Sequence, residues 1–311
     1  MITSNPLTEK RSIGYLATGM GAIILGTEAI LAQLCYAGGF TIITILTVRY
    51  WLAAVIFFAI AIIYKKPLII PLQYRKIVLL MAGLTILGIT LFFMALTKLP
   101  AALAILFLYA YPSMTAIISR VFLHRKFTPA VMASLLCSAC GLLLLSWSSF
   151  ATISIIGMLL ALGAALEQAI KLNIMEKVLP HLDLVTYNFT VMLIAALLCS
   201  LAAPFSGSFS LQVTPTAWIY AILLSIAVTA LSNFLMTKGV NIIGAVDASI
   251  IYLLEPPTTA FLAYLIFDDV LNPGQIVGGI LILVAIALPA LIHLKAQSNR
   301  SQPRRRKYEL P

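Results

Sequence analysis

Apolar runs of about 20 residues, the length a helix needs to cross a hydrocarbon core of ~30 Å, recur from Ile13 to about Leu291 with only short polar or Gly/Pro-rich breaks. No water-soluble domain of this size has a use for so many. Composition agrees, since 62% of the 311 residues are hydrophobic and only 10% are charged, well outside the globular range. The chain reads as an all-α membrane protein with spans near residues 12–34, 41–63, 75–96, 101–122, 129–148, 153–175, 184–203, 216–237, 245–266 and 273–293. Residues 1–11 are left as a cytoplasmic N-terminal segment and 294–311 as a basic cytoplasmic tail. The first run follows Lys10 and Arg11 as a signal peptide would, but it is too long for an h-region and has no convincing cleavage site, so it reads as an uncleaved span.

Basic residues set the orientation, because cytoplasmic loops collect Lys and Arg. With the N-terminus inside, the cytoplasmic segments hold Lys10 and Arg11; Lys65, Lys66, Arg75 and Lys76; Arg120, Arg125 and Lys126; Lys171 and Lys177; Lys238; and the tail from Lys295 to Lys307. Outside there is essentially Lys98, with Arg49 near the outer end of the second span. Both termini are expected in the cytoplasm, and the formal charge of +10 is topological. "PRRRK" at 303–307 fits a juxtamembrane tail near anionic lipid, and no nucleic-acid partner is expected. Cys137 and Cys140 form a C-x-x-C within an apolar helix, without His or a second pair, and read as packing residues.

The chain also repeats itself. With one constant offset, Ala101 meets Ala245, Ala104 meets Ala248, Pro112 meets Pro256, Ala116 meets Ala260 and Pro129 meets Pro273. Residues 12–150 and 151–293 are therefore expected to be two copies of one five-span unit. Because five is odd, the second copy would run through the membrane upside down. Inverted repeats recur in secondary transporters, where the substrate site lies near the midplane between copies and the halves rock to give alternating access.

These residues carry a family resemblance. "LGTEAILAQL" in span one, "LTVRYWLAAVIFF" in span two, the proline-bearing spans at Pro112 and Pro256, and "PGQIVGGILILVAI" in span ten resemble the EamA branch of the drug/metabolite transporter superfamily over nearly the whole chain. The resemblance implies a ten-helix carrier, usually of the bacterial inner membrane and often exporting amino acids or other small metabolites. The family's usual Trp in span one is here Leu25, and an acid after the fourth span is here Arg125, while the second copy keeps Asp269.

A charge at the centre of a span costs roughly 2.5–3.5 kcal/mol on insertion scales, so each needs a partner, a wet cavity or a function. Glu28, deep in span one, is read as a cavity-facing acid. Overlaying Leu25-Gly26 on Gln168-Ala169 brings Glu28 opposite Lys171, an acid and a base that would suit a zwitterion. Two other readings of Lys171 stay open: a snorkelling side chain, or an i, i+4 bridge to Glu167. Arg49, where the resembled family commonly has Arg, reads as an anchor at the outer mouth or a solute contact. Asp247 reads as a helix N-terminal acid.

Pro256 and Pro257 lack N–H groups and free the carbonyls near Tyr252 and Leu253; at that depth such groups are tolerated only against protein or water. Glu255 beside them is read as contacting solute or a proton. Pro112 marks the matching break in "FLYAYPSM", where Tyr111 replaces Glu255 and Tyr109 adds a second phenol. Tyr109, Tyr111 and Tyr252 form either an aromatic wall or ordinary packing, and Asn233 is a weaker polar candidate.

The expected function is a secondary active carrier of small polar or zwitterionic metabolites, with export the favoured direction, a proton the candidate coupling ion, and no cofactor or metal. No catalytic cluster or P-loop is present, so no enzyme is expected. Exchange of anionic metabolites such as sugar phosphates or nucleotide derivatives is the alternative, and an intramembrane scaffold or lipid-modifying protein the reading from another class. Gly274-x-x-x-Gly278 gives span ten a close-packing face for joining the two halves or two protomers.

Overall fold

A computed structural model describes residues 6–99, 101–124, 128–145, 154–267 and 273–301. Arg125, Lys126, Asp269 and the "PRRRK" stretch lie outside them. The described residues contain helices and no strands. In chain order the helices are α1 (Pro6–Leu25), α2 (Glu28–Ala37), α3 (Ile42–Ile63), α4 (Arg75–Leu96), α5 (Ala101–Leu108), α6 (Tyr111–Leu123), α7 (Pro129–Leu145), α8 (Ile155–Val178) and α9 (Leu184–Ala202). They continue with α10 (Pro215–Leu223), a π-helical stretch (Leu224–Ser232), α11 (Asn233–Ile243), α12 (Ala245–Tyr252), α13 (Glu255–Phe267) and α14 (Pro273–Ser301).

Eight of the stretches they form are long and apolar enough to cross a bilayer. α7 and α14 present shorter apolar segments, Pro129–Leu144 and Ile276–Leu288. Large apolar side chains such as Leu16, Val55, Phe58, Ile117 and Leu159 stand exposed on the outside, while Ala22, Ala53, Ala82, Ala104, Ala161 and Ala248 are buried between helices. That inverts the soluble pattern. With no hydrophobic gain to be had against lipid tails, helices associate through close van der Waals packing, which small residues permit. Gly278 serves this end within the chain: a Cβ on Gly141 of α7 would stand 2.7 Å from the Gly278 carbonyl of α14.

Neighbouring helices come from different copies of the repeat. α14 packs on α7, α3 on α9, α4 on α8, α1 on α11 and α12 on α6. The helix breaks repeat as well. α5 and α12 each have 8 residues, and α6 and α13 each have 13. The same offset that aligns the prolines places Leu108 on Tyr252 and Tyr111 on Glu255, so both breaks begin and end at equivalent residues.

Local sequence explains several ends. Thr41 and Ser154 accept from the Thr44 and Gly157 amides at the starts of α3 and α8, and Asp183 caps α9 through Val185 and Thr186. Such side chains satisfy amides that the first turn leaves without intrahelical partners.

Span one, expected as one continuous helix, is instead two. It breaks at Gly26-Thr27, and α2 starts at Glu28. The cause is tertiary. A Cβ on Gly26 would lie 2.8 Å from Thr258 and 3.2 Å from the Glu255 carbonyl, so α13 presses on the chain at this point. The Gly26 carbonyl accepts from the Thr259 hydroxyl at 2.9 Å.

Candidate functional site

Three irregular stretches meet in the bundle: the Gly26-Thr27 break, the α12–α13 break and the π-helical stretch. Each supplies polar groups that a regular apolar helix would not present. At the second break, Pro256 and Pro257 cannot donate to the Tyr252 and Leu253 carbonyls, and regular bonding resumes where the Thr258 amide meets the Leu254 carbonyl at 3.2 Å. Thr259 bonds both Gly26 and Glu255 carbonyls, at 2.9 and 3.1 Å, joining two breaks with one hydroxyl.

Glu28 occupies the first turn of α2, where the helix dipole favours a negative charge. Its partner is Arg49 of α3: Nη1 donates to Oε1 at 2.5 Å. Arg49 Nε donates to Thr229 Oγ1 at 2.8 Å, which brings in the π-helical stretch. Stretches of this kind are frequent at functional sites because they turn side chains out of helical register. Here Asn233 Nδ2 donates to the Thr229 carbonyl at 3.0 Å, so Asn233 steadies the stretch that holds Arg49.

Glu255 is half-buried at the start of α13, beside the Tyr109 hydroxyl and within electrostatic range of Glu28. Tyr109 and Tyr111 are buried with ring centroids 6.0 Å apart, and the Tyr111 hydroxyl points at the Ser249 carbonyl, 3.5 Å away. Tyr252 donates to the Ser232 carbonyl at 3.1 Å, while Ser232 Oγ donates to the Gly21 carbonyl at 2.8 Å. Tyr252 thus ties α12 to the π-helical stretch.

Lys171 lies elsewhere in the network. Its Nζ is 3.2 Å from Glu167 Oε1, four residues back on α8, so of the readings open from sequence the i, i+4 bridge is the one formed. Glu28 takes Arg49 instead. Glu167 fits because α4 carries Gly88 opposite it; any Cβ there would collide with the carboxylate. Tyr50 stands within electrostatic reach of both Glu28 and Glu167.

A further set of contacts lies at the side that carries the basic loops. Lys66 is 3.0 Å from Asp183, Thr186 donates to the Pro67 carbonyl, and the rings of Tyr74 and His181 stack at 5.8 Å. Tyr15 donates to Asp247 at 3.0 Å, with Arg11 at 3.7 Å. Burial pushes the Asp183 carboxyl up, but Lys66 and the Thr186 and Val185 amides outweigh it and hold the group below the usual carboxylate range.

Sequence reading missed Thr229, Ser232, Gly26 and Thr259. The available signal was small polar residues inside apolar runs, "AVTALSN" and "LGTEA", but composition alone does not say which of them break a helix.

The comparisons with known proteins fit this geometry. No individual curated protein matches the sequence. A solved structure titled "Crystal structure of protein" covers 92% of this chain and 99% of its own at a TM-score of 0.78 and 16% identity, a likeness of fold. The model of the EamA-like transporter family matches twice, over residues 12–147 and 155–290. Two family repeats thus account for nearly the whole chain, which belongs to the EamA-like transporter family of multi-pass membrane proteins.

Proposed function

We infer that the chain is a secondary active carrier of small polar or zwitterionic metabolites, working by alternating access between two inverted five-span halves. The observation that carries this reading is the meeting of the irregular stretches around Glu28, Arg49 and Glu255, ionisable groups placed where broken helices leave backbone groups to be satisfied. Taking α7 and α14 as spans makes ten. The helix pairings fit a two-fold relation between halves, since exchanging each span for its counterpart in the other repeat returns the same set of neighbours.

The Lys and Arg content of the loops supports a reading with both termini in the cytoplasm of an inner-membrane protein. Export is the favoured direction by family resemblance, with Glu255 or Glu28 as the candidate proton carrier. Exchange of large anions would call for several cations in the site; Arg49 stands there with two acids.

The test is solute flux in liposomes containing the purified protein. Saturable flux is expected for amino-acid-like solutes, falling at least about tenfold, or ~1.4 kcal/mol, in Glu28→Gln and Glu255→Gln while both variants remain folded. Absence of saturable flux for every solute tried, in a folded and correctly inserted protein, removes the carrier reading.

A further inference from the structure

Arg49 is built to hold more than Glu28. A guanidinium offers five N–H donors in a planar fork, and carboxylates bind it best through two parallel bonds. Glu28 uses one oxygen on Nη1, and Thr229 takes Nε. Among the described residues, nothing accepts from Nη2, and the Tyr50 ring lies 5.8 Å from the guanidinium carbon. The cation is therefore fixed from behind and beside while part of its fork stays open.

The partners are unequally enclosed. The Arg49 side chain is 12% exposed and that of Glu28 33%, so the acid is the more accessible member. Glu28 also sits just past a helix break, at the first residue of the short helix α2. Charge balance narrows what fits. One guanidinium already faces the Glu28 carboxyl, and the Glu255 carboxyl lies within electrostatic range of Glu28, so a simple anion would add a third acid to one base. A simple cation would leave the fork unfilled. A molecule carrying both a carboxylate and an ammonium group satisfies both.

Resting on the carrier reading of this site, we propose that Arg49 is the receptor for the solute's carboxylate and Glu28 its built-in competitor. Solute binding exchanges one carboxylate for another on the guanidinium, and the released Glu28, with Glu255, faces the ammonium group. The step makes and breaks only ion pairs. Its consequence is selectivity: a solute without an ammonium group has nothing to offer the displaced Glu28, and a solute without a carboxylate cannot displace it.

The experiment uses the full-length protein in liposomes. The proteinogenic amino acids are screened together, and the best transported one is compared with its decarboxylated amine and its deaminated acid as competitors. Wild type is expected to prefer the amino acid over either analogue by about tenfold or more. Arg49→Lys, which keeps the charge but loses the fork, is expected to lose about tenfold, and Arg49→Gln nearly all flux. Glu28→Gln gives the opposite sign for one probe: with the competitor neutral, the deaminated acid should compete at about tenfold lower concentration than in wild type.

Because Glu28→Gln keeps shape and hydrogen bonding, it decides the matter even where Arg49→Gln fails to fold. Saturable amino-acid flux with an amine competing as well as the amino acid, or with no gain for the acid in Glu28→Gln, overturns the Arg49 assignment and leaves the carrier intact. A folded wild type that moves nothing in the panel overturns both.

Discussion

Glu28–Arg49 and Glu167–Lys171 are both acid–base pairs within the helical bundle, and the repeat makes α2, which carries Glu28, the counterpart of part of α8, yet they are built on opposite plans. The first spans separate elements: Glu28 on α2, Arg49 on α3, and Thr229 from the second copy behind them. The second is an i, i+4 bridge on the unbroken α8, with Glu167 only 5% exposed and a glycine opposite making room for it. A pair within one helix moves with that helix and feels no relative motion of its neighbours. A pair across a break, anchored to the other repeat, is remade or broken whenever the elements shift. Equivalent positions in a duplicated chain therefore need not share a role. One copy kept a continuous helix with an internal bridge, and the other kept the break.

Removing Lys171 puts the most severe strain on this division. Breaking a buried pair strands the remaining charge, and the cost is typically about 3–5 kcal/mol. Lys171→Met should therefore lower the thermal midpoint of the detergent-purified protein more than substitutions at Gly26 or Asp183 do. The double variant Glu167→Leu with Lys171→Met should recover most of that loss, because well-packed apolar residues often replace such a pair at little cost. It should also keep solute flux. Should the double variant fold as well as wild type yet transport nothing, Lys171 belongs to the solute path and the division between the pairs falls.

Much of the architecture is readable from residues alone, and the parts that are not have a common cause. Apolar length marks spans, and the prolines mark the α12–α13 and α5–α6 breaks, because Pro removes a donor wherever it stands. Glu28, Arg49 and Glu255 stand out because charges in apolar runs are costly. The Gly26-Thr27 break is different: its residues tolerate a helix, and the break follows from Thr258 and Thr259 pressing on it from more than 200 positions away in the chain. Partner choice is hidden for the same reason. Glu28 is offered Lys171 by repeat alignment and Arg49 by three-dimensional packing, and only the fold decides between them.

The break itself can be probed through glycines on α1 and just beyond its end. Gly26→Ala places a methyl 2.8 Å from Thr258, and overpacking of this kind costs about 1–3 kcal/mol. Gly19 sits within α1, where an added Cβ would meet nothing inside 4 Å, so Gly19→Ala should gain up to about 1 kcal/mol from helix propensity. Opposite signs in the thermal midpoint, together with reduced flux in Gly26→Ala alone, would strengthen the case that contact between the two breaks matters to transport. Equal effects at both positions would reduce Gly26 to an ordinary helical glycine.

The smallest effect belongs to the side carrying the basic loops. Asp183 divides its oxygens, Oδ1 receiving the Val185 and Thr186 amides at 2.9 and 3.2 Å and Oδ2 facing Lys66 at 3.0 Å. Asn caps a helix about as well as Asp, so Asp183→Asn removes the ion pair between the repeats while leaving the cap in place. Both partners are partly exposed, which limits the loss to below about 1 kcal/mol. The sign follows from the lowered carboxyl: its stabilisation is complete above the ordinary carboxylate value and disappears as pH falls through the lower value of the folded protein. Wild type should therefore melt slightly higher than Asp183→Asn at neutral pH, and the two should converge in acid. A gap that stays constant with pH would assign the difference to packing and leave Lys66–Asp183 without a part in holding the repeats together on that side.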